Sequence, residues 1–120
     1  MAPSAEEASQ NPDVLPDTYV FIAKGANVCP DGYVCLYEYG DLNSGAPGRI
    51  LATKVNLKGL GDWNFSKVAN SYYNHTVHTV AMDWQEGNSL VDGTIVADAG
   101  EKRSLSSPEN NAIYNVTFHT

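Results

Sequence analysis

The sequence predicts an all-β fold, a sandwich of two Greek-key motifs. Three observations carry that expectation. The 120 residues are rich in Gly, Asn, Ser, Thr and Tyr, a mix that favours strands and turns over helices. Short β-branched and aromatic runs alternate with turn signals about every 10 residues. A faint internal repeat runs through these strands at an offset of 45 residues.

Each element has its own reason. Thr18–Ala23 is strand-like, and so is Tyr33–Tyr39 until Gly40–Gly45 breaks it. Gly48–Val55 is the next strand, followed by a Gly-rich connection from Leu57 to Trp63. Ser71–Asn74 and Thr76–Met82 are extended candidates, and Trp84–Asp92 is a loop. Gly93–Ala97 and Ala112–Phe118 complete the set. No stretch has the periodicity of an amphipathic helix.

The repeat lines up Cys35-Leu36-Tyr37-Glu38 with Val80-Ala81-Met82-Asp83, and Pro47–Ala52 with Asp92–Ala97. With one deletion, Ala69–Tyr72 then lies against Ile113–Val116. Two units of about four strands each would leave an apolar face uncovered, so each needs the other. The expected organisation is a disordered acidic tail over 1–17 and one domain over 18–120. Within it, one Greek key spans about 28–76 and the other about 77–118.

Charge excludes several function classes. The net charge is −7, from 14 acids and 7 bases. Nucleic acid and anionic membrane surfaces call for clustered Lys and Arg, so neither is an expected partner. No apolar run approaches the ~20 residues of a membrane-spanning helix. The charge divides unevenly: Glu6, Glu7, Asp13 and Asp17 place −4 in the tail, leaving 10 acids and 7 bases in residues 18–120. The first residues read as a mature end carrying an added Met1.

Cys29 and Cys35 flank Pro30-Asp31-Gly32, a turn sequence that would set them side by side. A disulfide is the favoured reading, two buried thiols the alternative. A bridge implies an oxidising compartment, hence secretion. Three glycosylation-type sequons begin at Asn64, Asn74 and Asn115.

The blocks resemble the βγ-crystallin Greek-key motif. In that motif an aromatic residue starts a hairpin, Gly follows about seven residues later, and a later Ser caps the folded hairpin. Tyr37 and Gly45 fit the first part with one residue inserted, and Ser71 fits the second. Within that fold the chain most resembles the secreted bacterial peptidase inhibitor family I36, whose founder inhibits a metalloproteinase. The likeness rests on Cys29–Glu38 and Trp63–Thr76, and covers roughly 28–118. It implies a secreted, non-enzymatic, monomeric β-sandwich that binds a protease. The chain departs from the family pattern in the early strand Thr18–Ala23, the long turn Gly45–Gly48 and the single Cys pair. The founder's inhibitory loop therefore does not transfer onto these residues.

Three chemistries come into question for these residues. The resemblance suggests a calcium site, since crystallin-type sites use a short Asn/Asp-rich stretch whose oxygens suit a hard cation. In the first unit that stretch is Ser66–Ser71, where Lys67 replaces an acid. In the second, Asn110, Asn111 and Asn115 supply carbonyl oxygens without charge, so calcium binding would be weak; no other cofactor is expected. Catalysis lacks a constellation: His75 and His78 would lie on opposite faces of one strand, and no Ser sits in a nucleophile elbow. Peptidase inhibition requires only a rigid exposed loop that loses little entropy on docking. Candidate loops are Asp31–Tyr33, Leu57–Asp62, Trp84–Leu90 and Gly100–Pro108. The last contains Lys102-Arg103-Ser104-Leu105, suited to a trypsin-like or subtilisin-like enzyme, and an exposed Trp84 would anchor an interface. The alternatives are an extracellular binding or stress module with weak calcium affinity, and a toxin-like secreted effector.

Overall fold

The chain alternates apolar and polar residues along some strands but not others, and that contrast sets the architecture. In the computed structural model, residues 15–86, 92–107 and 109–119 are described. The strands are β1 (Thr18–Ala23), β2 (Tyr33–Tyr37), β3 (Gly48–Thr53), β4 (Ser71–His75), β5 (Thr79–Gln85), β6 (Asp92–Ala97), β7 (Lys102–Ser104) and β8 (Ile113–His119). They form two antiparallel sheets, one ordered β1-β3-β2-β4-β7 and the other β6-β5-β8.

In β5, buried Val80, Met82 and Trp84 alternate with half-buried residues, because only one face of the smaller sheet meets the core. In β2 all five residues are buried, because the larger sheet is covered on both faces. Val34 and Leu36 turn into the sandwich, against Leu51, Tyr72, Met82 and Val116. Tyr33, Cys35 and Tyr37 turn the other way, into a second cluster with Tyr19, Phe21, Ile50 and Leu15. The early strand β1 supplies this outer cluster: Tyr19 stacks on Phe21 at 5.1 Å and meets Tyr33 edge-on at 5.9 Å.

The acidic segment before β1 is partly built in. Leu15 is buried, the Tyr33 hydroxyl donates to the Pro16 carbonyl (2.6 Å), and Lys54 N–H donates to the Asp17 carbonyl (2.9 Å). Lys54 Nζ also lies 3.6 Å from the Asp17 carboxylate. Leu15–Asp17, placed in the tail by composition, thus pack on the domain. The rest of the expected tail, 1–14, lies outside the described residues.

The 45-residue repeat is a pseudo-symmetry of the pairing. Cys35 faces Ala52 and Tyr73, and Val80 faces Ala97 and Phe118, each residue 45 positions on. The deletion in the repeat has a local cause. The turns before β4 and β8 match at an offset of 44: Lys67 N–H donates to Ile113 carbonyl, and Asn111 N–H donates to Ala69 carbonyl. Lys67 and Asn111 both take left-handed backbone, φ 59° and 56°. A register shift at Asp83/Trp84, opposite Asn115 and Ile113, absorbs Tyr114 and restores the offset of 45.

Backbone pairing also crosses between the two halves. β7, from the second half, pairs with β4 in the first half's sheet. Leu57, from the first half, makes a two-bond bridge to Val116 in β8.

The hairpin β2–β3 differs in detail from expectation. Its turn, Gly40–Asn43, carries left-handed backbone at Asp41, Leu42 and Asn43 (φ 52°, 54° and 58°). Side chains hold that costly conformation. Ser71 Oγ donates to Tyr39 carbonyl (2.7 Å) and accepts from Leu42 N–H (3.0 Å), which is the capping role the motif assigns to Ser71. Ser104 Oγ accepts from Asp41 N–H (2.8 Å), and Asn43 Oδ1 accepts from Tyr39 N–H (2.8 Å). The aromatic–glycine pair is Tyr39 with Gly48, not Tyr37 with Gly45. A Cβ on Gly48 would lie 2.6 Å from the Tyr39 ring, whereas one on Gly45 would meet nothing within 4 Å. Trp84 and Gly93, 45 residues on, repeat the arrangement at 2.8 Å.

Candidate functional site

Cys29 and Cys35 form a disulfide, with Cα atoms 5.9 Å apart. Both are buried in the outer cluster. The bridge staples the turn before β2 to the face of that strand, and in the chain-entropy model so short a ring contributes about 2 kcal/mol.

Around that end of the sandwich three turns are tied together. The Pro30–Gly32 turn meets β4 through Gly32 N–H to His75 carbonyl (2.8 Å). His75 Nδ1 lies 2.9 Å from the Cys29 carbonyl, its ring stacks on Tyr73, and Asp31 reaches to 3.6 Å of Nε2. On the other side, the turn leading into β7 is joined to Asn74. Asn74 N–H donates to Glu101 carbonyl, and Gly100 N–H donates to Asn74 carbonyl.

Asn74 is the centre of this region. It is fully buried, and its Nδ2 reaches the carbonyls of His78 (2.8 Å), Ala97 (3.1 Å) and Asp98 (3.1 Å). Its Oδ1 accepts from Thr76 N–H (3.2 Å) and Thr76 Oγ1 (2.6 Å). A buried amide saturated in this way fixes the surrounding backbone. It also disposes of Asn74 as a glycosylation acceptor in the folded protein. Residues 76–78 form a bend between β4 and β5, not the start of the expected strand from Thr76. The bend separates the two histidines: His75 turns to Cys29, and His78 packs edge-on against Phe118.

The expected inhibitory segment is placed otherwise. Lys102, Arg103 and Ser104 form the edge strand β7, paired with Tyr73, Tyr72 and Ser71. Their side chains are committed to intramolecular contacts. Lys102 Nζ lies 4.9 Å over the Tyr73 ring, Arg103 pairs with Glu109, and Ser104 Oγ caps Asp41. Leu105 donates its N–H to Asn70 carbonyl and packs on the main core. Trp84 is also no surface anchor. It is 9% exposed, within β5, and wedged over Gly93. Gly87–Val91 of the loop expected after Trp84 lie outside the described residues.

The three asparagines proposed for calcium each have contacts within the protein. Asn111 Oδ1 accepts from Asn70 Nδ2 (2.9 Å), Asn110 N–H donates to Ser106 carbonyl, and Asn115 in β8 directs its amide to Asp83 (3.4 Å). Asn111 borders an open cleft of about 320 Å³ with Glu38, Tyr39, Arg49, Lys67, Val68 and Asn70. Glu38 there accepts from Arg49 N–H (2.9 Å) and from its guanidinium (3.4 Å), and these contacts hold its carboxyl below the usual range. Arg49 and Lys67 on its walls set cationic side chains beside Asn70 and Asn111. Among the described residues no group of three or more His, Cys, Asp or Glu could hold a metal.

Two halves that repeat one strand plan and are tied together by β7 and by the Leu57 bridge, with Ser71 capping the first hairpin, define a two-motif Greek-key sandwich of the βγ-crystallin type. A solved structure described as "Evolution of the eye lens beta-gamma-crystallin domain fold" matches with a TM-score of 0.59 and 19% identity. The match covers 82% of this chain and 97% of that one, and at that identity it concerns the fold. The chain belongs to peptidase inhibitor family I36, which it matches over residues 23–97. The search of the curated proteins finds no match.

Sequence reasoning missed the bend at Thr76–His78. The signal was present as Val77, flanked by His75-Thr76 and His78-Thr79, one apolar residue in a polar run. The run reads as a continuous strand because Thr76, Val77 and Thr79 are β-branched, and only the contacts of Asn74 show the break.

Proposed function

We propose that the protein inhibits an endopeptidase by presenting an exposed, pre-shaped loop at the disulfide end of the sandwich. The observation that carries this reading is the interlocking of three turns there, through Asn74, His75 and the Cys29–Cys35 bridge. A loop already held in one shape loses little conformational freedom when a protease cleft closes on it. Membership of an inhibitor family supplies the partner class. The protein acts by binding and does no catalysis of its own. Its disulfide supports an extracellular setting, where such a bridge persists.

The test is steady-state inhibition and complex formation against metallo-, serine and cysteine endopeptidases. Inhibition of at least one class at or below micromolar protein, with a complex recoverable by size exclusion, is the expected result. No inhibition in any class at that concentration rejects the reading.

A further inference from the structure

We infer that Val77, at the apex of the Thr76–His78 bend, is the side chain that enters the target's specificity pocket, and that the pocket is apolar and sized for a β-branched aliphatic group. This rests on the inhibitor reading above. Val77 is 88% exposed, more than any other large hydrophobic residue among those described. Its neighbours are tied down. Thr76 is buried, its Oγ1 accepts from His78 N–H (3.1 Å), and the His78 carbonyl accepts from Asn74. The stem before the bend is clamped through His75 to the Pro30–Gly32 turn and through Asn74 to the Asp98–Glu101 turn, and the stem after it begins β5 with Thr79 paired to His119. One apolar side chain therefore projects from a backbone that cannot collapse to hide it. Burying such a group in a matching pocket is favourable, and pre-organisation lets most of that gain appear as affinity. None of residues 74–78 takes left-handed backbone, so position 77 accepts any L side chain without backbone strain. Asp31, with a 96% exposed carboxylate, and exposed Asp98 flank the bend, so the rim of the target's cleft is not acidic.

The experiment uses the full, disulfide-intact chain and endopeptidases whose specificity pockets are aliphatic, aromatic or acidic. Wild type should inhibit enzymes with the aliphatic pocket best. Val77→Asp and Val77→Gly should raise the inhibition constant at least tenfold with the melting temperature unchanged. Val77→Arg should gain inhibition of an enzyme with an acidic pocket. Val96→Asp, on exposed β6, should inhibit like wild type. If wild type inhibits but Val77→Asp inhibits equally, the inference fails and the inhibitor reading stands. Equal inhibition together with loss of self-association would assign the bend to contact between copies, which also overturns it. If wild type inhibits nothing, both readings fall.

Discussion

Tyr19 is 1% exposed, and its hydroxyl has no hydrogen-bond partner. Burial drives its pKa upward, with the Tyr33 hydroxyl adding to the shift. An unpartnered buried hydroxyl costs stability. Tyr19→Phe should therefore leave the unfolding free energy unchanged or raise it by up to about 1 kcal/mol in denaturant titration. Glu38 gives a prediction of the opposite kind. Its folded pKa is depressed, chiefly by the Arg49 backbone N–H, so its stabilisation is present above the unfolded-state pKa. It is lost as pH falls through the folded value. Melts of wild type and Glu38→Gln should differ at pH 7 and converge in strong acid, with Glu38→Gln the less stable at pH 7. At this scale the chain disclosed Cys29–Cys35 and Ser71, because each has a local partner or a motif position. It hid Asn74, two of whose three acceptors, Ala97 and Asp98, lie more than 20 residues away.

Among the elements, the paired aromatic–glycine contacts of the two hairpins offer a graded test. Both glycines sit under a ring, but Tyr39 is 48% exposed and can swing aside, while Trp84 is 9% exposed and cannot. Gly93→Ala should cost about 1–3 kcal/mol, and Gly48→Ala less, by chemical denaturation. Reading Tyr37 with Gly45 as that pair was natural from spacing alone. The ring that covers a glycine is decided by the turn: Tyr39, beyond the end of β2, lies over Gly48, while Tyr37 is buried in the outer cluster. Most strands were legible because their apolar alternation is local. β7 was not: Lys-Arg-Ser carries no strand signal, and it is extended because β4 offers it an edge to pair with. The same missing signal made this edge strand read as a loop.

For the whole molecule, the acidic balance and the metal question meet. Arg49 and Lys67 line the cleft where the calcium-type stretches of the two halves come closest. We expect millimolar Ca²⁺, or its chelation, to leave the melting temperature unmoved; a shift of several degrees would show a structural site. Replacing both cysteines by Ser should lower stability by about 2 kcal/mol without unfolding the sandwich, since the bridge closes only a short ring and both clusters remain.

The exchange of β7 and Leu57 between the halves bears on what happens if a protease does cut its inhibitor. Hydrolysis at the Thr76–His78 bend would divide the chain into two polypeptides that no disulfide joins, because Cys29 and Cys35 lie on one of them. Yet β7 would still be paired to β4, and Leu57 to Val116, so the two fragments would stay joined by backbone hydrogen bonds at both sheets. The nicked protein should run as one particle in native sizing and as two chains in denaturing gels. The two new ends would stay next to each other, and the severed peptide bond could be resealed in place.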